Sequence, residues 1–442
     1  MKIKLSERAQ LITAAAVSAA VITPFLGACG NQGEATNPVE IVTNTGEGVE
    51  LEFWHGMSGA MGETLNGLIQ TFNETKGEEL GITVEGVYQG GYTDLNSKLM
   101  ASIKAGTSPV LIQGTSNSIM DLLPSSVVQP LDDYIYHDEI GMKDYEDIYE
   151  AFRNEGSSFN ETGTIYGLPF SKSTDLYYYD EAFFKEHGLE VPTTWEEVEE
   201  VSKQMTEITG RPSFGIDNLP NYFITMLNQH QADYTNERGD ILFNHETSVD
   251  ILEQLKANIE AGHWRLAGED MYHSGPFMSG LVQSYIGSSA GYTFLTDEVK
   301  WNTAPLPQVD SENPAYIQQG NMVSILNQNK TSEEVYGAYE FLKYLMSDEA
   351  VLEWATETGY LPIKETVATS NEYLTHLEET NDRVKVNGAL SLENAFVEAM
   401  FVKDNGVSSN MVRNEVGVMI EEILLNDVEI QDALDRYEYK LK

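Results

Sequence analysis

A single cysteine, Cys29, in 442 residues excludes disulfides within the chain and any metal centre built on thiolates. The eight histidines are scattered, with no HExxH or other paired spacing, so no metal site is expected. Basic residues are scarce too: 26 Lys and Arg stand against 70 Asp and Glu, for a formal charge of −44. With no basic stripe to follow a phosphate backbone, a nucleic-acid partner is not expected. Neither a P-loop nor a dinucleotide fingerprint appears, and no cofactor is expected. Beyond one apolar run near the N-terminus, no stretch reaches the eighteen or so residues that a membrane span needs. Acidic pairs such as Asp132-Asp133 and Glu196-Glu197 abound, and at this composition they read as solvated faces rather than a glycosidase pair.

What the chain does have starts at its N-terminus. Lys2, Lys4 and Arg8 precede an apolar run from Leu11 to Phe25, which ends in Leu26-Gly27-Ala28-Cys29. Charged residues, an apolar core and small residues in that order describe an export signal. A lone cysteine at its end resembles the bacterial lipobox. That resemblance implies that residues 1–28 are a cleaved signal, that Cys29 is acylated, and that the protein is anchored to the outer face of the cell membrane. Residues 29–48 are poor in apolar anchors and read as a flexible tether.

Order is expected from Leu51-Glu52-Phe53-Trp54 onward. Ile82, Val84 and Val87 alternate as a strand, while Met61, Leu65, Leu68, Ile69 and Phe72 recur at helical spacing. Leu95, Leu99, Met100 and Ile103 mark a second helix, and Val110–Gln113 reads as a buried strand. This alternation predicts an α/β sheet, and the length predicts two or three domain-sized units. At the centre lies Gly167-Leu168-Pro169-Phe170-Ser171-Lys172-Ser173-Thr174-Asp175-Leu176-Tyr177-Tyr178-Tyr179-Asp180. Small hydroxyl residues on an extended segment offer hydrogen bonds to a ligand, and the tyrosines after them favour a strand. Thr194-Trp195-Glu196-Glu197 is a capping box that opens a further helix.

Two residues could carry chemistry. Gly287-Ser288-Ser289-Ala290-Gly291 fits the G-x-S-x-G pattern of a hydrolase elbow, but only His376 follows Ser289 as a base, in a polar helical segment. The competing reading is a strand-to-helix turn whose free N–H groups hold an anion or hydroxyls. Arg413 is one of eight arginines and lies beside the apolar stripe of Val412, Val416, Met419, Ile420 and Ile423. Its fork suits a phosphate or carboxylate held bidentately, or a surface ion pair with Glu415 or Glu421.

Several segments together carry a family resemblance. Pro169-Phe170-Ser171 through Tyr177-Tyr178-Tyr179-Asp180, then Phe184 and Glu186, resembles the signature of family 1 extracellular solute-binding proteins, with Leu176 a departure from it. Phe53-Trp54-His55-Gly56-Met57, Tyr88-Gln89-Gly90-Gly91-Tyr92 and Thr358-Gly359-Tyr360-Leu361-Pro362 resemble its glycerol-3-phosphate and glycerophosphodiester-binding branch. The resemblance implies an α/β periplasmic-binding-protein-like fold of two discontinuous lobes joined by crossing strands. One lobe would comprise residues 49–172 and 322–360, the other residues 173–321 and 361–442. It implies no enzyme but a monomeric receptor that delivers a polyol phosphate or a sugar to ABC permease subunits. Ligand contacts would be Tyr92, Ser173, Ser288, Tyr360 and Arg413. Ser116 stands where the branch has an acidic residue and Asn321 where it has glycine. Trp54, His55 and Trp195 are further cleft candidates. The alternatives are a sugar or oligosaccharide receptor of the same family, or an exported hydrolase acting through Ser289.

Overall fold

The computed structural model describes residues 40–442 apart from 161, 381 and 427, so the signal segment and Cys29 lie outside the described residues. The expected tether ends earlier than residue 48. Ile41 and Val42 pack on a hydrophobic core, and buried Thr45 donates its hydroxyl to the Leu80 carbonyl. Two β-branched apolar side chains are enough to dock this segment.

Ten strands form the sheet among the described residues. They are β1 (Val49–His55), β2 (Ile82–Tyr88), β3 (Leu111–Gly114), β4 (Leu168–Asp180), β5 (Phe214–Ile216), β6 (Trp264–Arg265), β7 (Ser284–Ser288), β8 (Trp301–Pro305), β9 (Tyr316–Ile325) and β10 (Ala395–Phe396). Their order is β2-β1-β3-β9-β4-β7-β5-β6, with β8 beside β4 and β10 beside β9. β1 runs parallel to β2 and β3, and β5 parallel to β6 and β7, as strand–helix alternation requires. β9 is antiparallel to both β3 and β4.

β4 is the spine. Its first half, Leu168–Thr174, pairs with β9, and its second half, Asp175–Asp180, lies between β7 and β8. Twelve of its thirteen residues are buried, so it reads as a continuous run rather than an alternation. Pro169 has no N–H to give the ladder, and the register shifts there between Pro169 and Ser171. Opposite, Gly320 sits at φ +115, and a Cβ on it would fall 1.8 Å from the Ser171 carbonyl oxygen. No other residue fits that crossing.

Two large cores flank this spine. The first joins Phe53, Leu65, Leu111, Leu168, Phe170, Val323, Phe341 and Trp354. The second joins Tyr177, Trp195, Phe214, Phe223, Ile286, Val412, Met419 and Leu434. The expected division of the chain meets two departures here. Leu361, Ile363, Val367 and Leu392 pack in the first core, although residues 361–442 were expected with the second lobe. Their segment follows the helix Asp348–Glu357 and folds back on its apolar face. Conversely, Leu99, Ile112, Ile119 and Met120 belong to the second core.

Candidate ligand site

The ladder places the hydroxyl and amide side chains on one face. Ser171 lies opposite Asn321, Ser173 opposite Gln319, and Asp175 opposite Ser288. Alternate residues of a strand share a face, so Ser171, Ser173 and Asp175 line about 13 Å of β4.

At one end Asn321 donates from Nδ2 to the Tyr92 hydroxyl at 2.9 Å. Tyr360 hydrogen-bonds the same hydroxyl. The Tyr360 ring stacks on Trp354 at 5.7 Å, which in turn stacks on Phe170 at 4.5 Å, so the first core fixes its position. Tyr92 opens the helix Tyr92–Ala105 after the left-handed Gly90, and the residue as a whole is 44 % exposed. Burial of the hydroxyl end raises its pKa, while bonds from Tyr360 and Asn321 oppose the rise. Asn321 Oδ1 and Ser171 Oγ are buried without a hydrogen-bond partner.

In the middle, Ser288 Oγ donates to Ser173 Oγ at 3.1 Å and accepts the Ala290 N–H at 3.3 Å. β7 delivers Ser288 at its end, and Tyr178 donates to the Ser288 carbonyl at 2.8 Å, which fixes the turn.

At the other end stands a charged wall. Asp175 accepts from Asn221 Nδ2 at 3.1 Å and from Gln319. Burial pushes its pKa up to about 6, against the pull of those two bonds, while Asp217 raises it further and Arg413 lowers it. Arg413, on the helix Ser409–Leu425, donates from Nη1 to Glu398 Oε1 at 2.9 Å and from Nη2 to Asn221. Its ion pair is therefore with Glu398, not with Glu415 or Glu421. Sequence reading missed Asp175, Asn221, Gln319 and Glu398. Only Asp175 left a signal, as the one acid in a run of small hydroxyl residues.

The other expected residues stand elsewhere or are already committed. Ser116 Oγ donates to Glu155 Oε1 at 2.8 Å, and Glu155 pairs with Lys172, whose side chain is fully buried over the Phe152 ring. A carboxylate thus lies beside Ser116 after all, contributed by the helix Glu150–Ser157. Trp195 is not a cleft residue. It is 4 % exposed, donates to Gln229 Oε1 at 3.0 Å, and meets Tyr222 edge-on in the second core. The stripe of Trp195, Val198, Val201 and Met205 turns it inward. His55 is likewise a core residue. It shares the inner face of β1 with Leu51 and Phe53, accepts the Met57 N–H, and has its pKa lowered by burial. Trp54 points to the opposite face of β1, half-buried, with its indole N–H on Glu52 at 3.0 Å.

No catalytic triad assembles among the described residues. Ser289 Oγ accepts the Thr174 N–H at 3.3 Å. His376 lines a separate cavity of about 750 Å³ with Tyr292, Trp301 and Arg383. A buried His273–Asp217 pair exists at 2.9 Å, yet its free Nε2 is pressed against Gly215, where a Cβ would lie 2.1 Å away.

The family model described as "Bacterial extracellular solute-binding protein" matches residues 67–378. The chain belongs to that family. As an extracellular solute-binding protein it binds a ligand and does not turn it over. The sn-glycerol-3-phosphate-binding periplasmic protein UgpB of Yersinia pestis is 22 % identical over 344 residues, 71 % of this chain and 74 % of its own. That of Shigella dysenteriae serotype 1 is 23 % identical over 328 residues, with the same coverage. Among solved structures, UgpB from Mycobacterium tuberculosis in complex with glycerophosphocholine superposes with a TM-score of 0.77 at 18 % identity, covering 89 % of this chain and 97 % of that one. The cyclic alpha-maltosyl-1,6-maltose binding protein from Arthrobacter globiformis gives 0.75 at 22 %, covering 89 % and 98 %. At such identities these structures establish the fold, which is that of the two-lobed periplasmic binding proteins. No helix among the described residues is long and apolar enough to cross a membrane.

Proposed function

We propose that this solute-binding protein captures a small phosphorylated polyol, glycerol-3-phosphate or a glycerophosphodiester, for the permease of an ABC importer. The observation that carries the reading is Arg413. It is a partly exposed guanidinium at one end of a hydroxyl-lined face, joined to that face through Asn221 and Asp175. Tyr92, Ser173, Ser288 and Asn321 would take the polyol hydroxyls, and the unpartnered Asn321 Oδ1 and Ser171 Oγ favour a ligand rich in hydroxyl donors. The names of the curated relatives support the same class. Bending of β4 and β9 between the two cores would close the lobes on the ligand.

A specific observation favours a second reading, a neutral sugar. Arg413 is already paired with Glu398, so a ligand without charge would leave the wall undisturbed. Thermal-shift measurements with glycerol-3-phosphate, glycerophosphocholine and maltose separate the two. A true ligand at 100 times its Kd adds about 2.7 kcal/mol of stability. A shift with maltose and none with either phosphate compound overturns the phosphate reading.

The lipid anchor on Cys29 belongs to the same proposal, supported by the Leu26-Gly27-Ala28-Cys29 run. Cys29→Ala is expected to abolish incorporation of labelled fatty acid and to release the protein from the membrane fraction. Labelling that persists in this variant rejects the anchor.

A further inference from the structure

Arg413 is the cation of the site, yet its charge is already matched. Glu398 Oε1 takes its Nη1, and its Nη2 donates to Asn221, which holds the Asp175 carboxylate. The Glu398 side chain is 8 % exposed, and its Oε2 is buried without a partner. The same Oε1 also accepts Asn117 Nδ2 at 3.3 Å. Two carboxylates against one guanidinium leave this wall negative overall.

That balance discriminates between ligands by charge. A phosphomonoester carries about −1.5 to −2 at pH 7. A phosphodiester carries a single charge, and one bearing a cationic head group is neutral overall. Like charges brought together out of water repel, so each extra negative charge on the ligand weakens binding at this wall. We propose that Glu398 is a specificity-determining residue. It occupies one side of the Arg413 fork, disfavours phosphomonoester dianions, and leaves phosphodiesters, above all zwitterionic ones, as the preferred class. This rests on the phosphate reading of the Arg413 wall. Glu398 lies between β10 and the helix Ser409–Leu425, outside any helix or strand, so its side chain can turn off Arg413 without breaking a ladder.

Calorimetry on the full mature chain tests it, with glycerophosphocholine, glycerol-3-phosphate and maltose as probes. The parent protein is expected to bind glycerophosphocholine about tenfold or more tighter than glycerol-3-phosphate. Glu398→Gln is expected to narrow that ratio by about tenfold, through tighter binding of glycerol-3-phosphate. Glu398→Asp keeps the charge and should keep the ratio, which separates charge from folding. An unchanged ratio in a folded Glu398→Gln protein, or equal affinities in the parent, overturns the role of Glu398 and leaves the phosphate reading standing. Binding of maltose alone overturns both.

Discussion

Arg413→Ala is expected to weaken binding of a phosphorylated ligand roughly ten- to a hundredfold or more. A hydrogen bond to a charged group contributes about 1.5–3 kcal/mol, and every 1.4 kcal/mol is about tenfold in Kd. Arg413→Lys keeps the charge but loses the planar fork that reaches both Glu398 and Asn221, so it should recover only part of the loss. Removing the guanidinium also leaves the nearly buried Glu398 carboxylate unpaired, and the melting temperature should fall with the affinity. Calorimetry well below that temperature isolates binding. If Arg413→Ala binds glycerol-3-phosphate and glycerophosphocholine as tightly as the parent, the phosphate assignment is wrong. A sugar whose affinity drops in Tyr92→Ala and not in Arg413→Ala would then be the ligand.

The second large effect is on stability. Asp175 is 6 % exposed, and burial, the leading cause, lifts its pKa from 3.8 to about 6. At neutral pH the carboxylate is charged in both states, and a shift of this size corresponds to about 3 kcal/mol of destabilisation. The folded state holds its proton more tightly than the unfolded one. The destabilisation is therefore complete above pH 6, shrinks as pH falls through 6, and is gone below 3.8. Asp175→Asn should raise unfolding free energy at pH 7.5 by up to about 3 kcal/mol. Its oxygen can still accept from Asn221, and its amide can meet the Gln319 amide turned over. The advantage over the parent should disappear between pH 6 and pH 4. Denaturant titrations across that window measure it, and an advantage independent of pH would show that Asp175 carries no such proton.

How much of this could be read from the residues varies by place. The central stretch stands where it was expected, and Ser173, Ser288, Tyr92, Asn321 and Tyr360 do converge on two short hydrogen-bonded groups. Trp195 and His55 show the limit of matching residue type without direction. Both rings belong to periodic patterns, every third or fourth residue in one case and every second in the other, that point them into the cores. Weighing those periods more heavily would have placed them correctly. Glu398 and Asn221 left no such trace. Each reaches Arg413 from a segment whose approach depends on how the sheet closes, and no local spacing encodes that. Nor did the packing of Leu361 and Ile363 in the first core show in the sequence, because an apolar run looks the same whichever core receives it.

The position of β9 has a consequence for the life of the chain before it folds. β3 ends at Gly114 and β4 at Asp180, but the strand between them in the sheet does not begin until Tyr316. A ribosome that has made the first half of the protein has therefore made a sheet with a gap at its centre. The β3 edge waits about 200 residues for its partner and the β4 edge about 135, at roughly 5–20 residues per second of synthesis. Contacts this distant along the chain also close slowly once available. The β3 and β4 edges stay open until β9 has arrived, and only then can the sheet join the two cores.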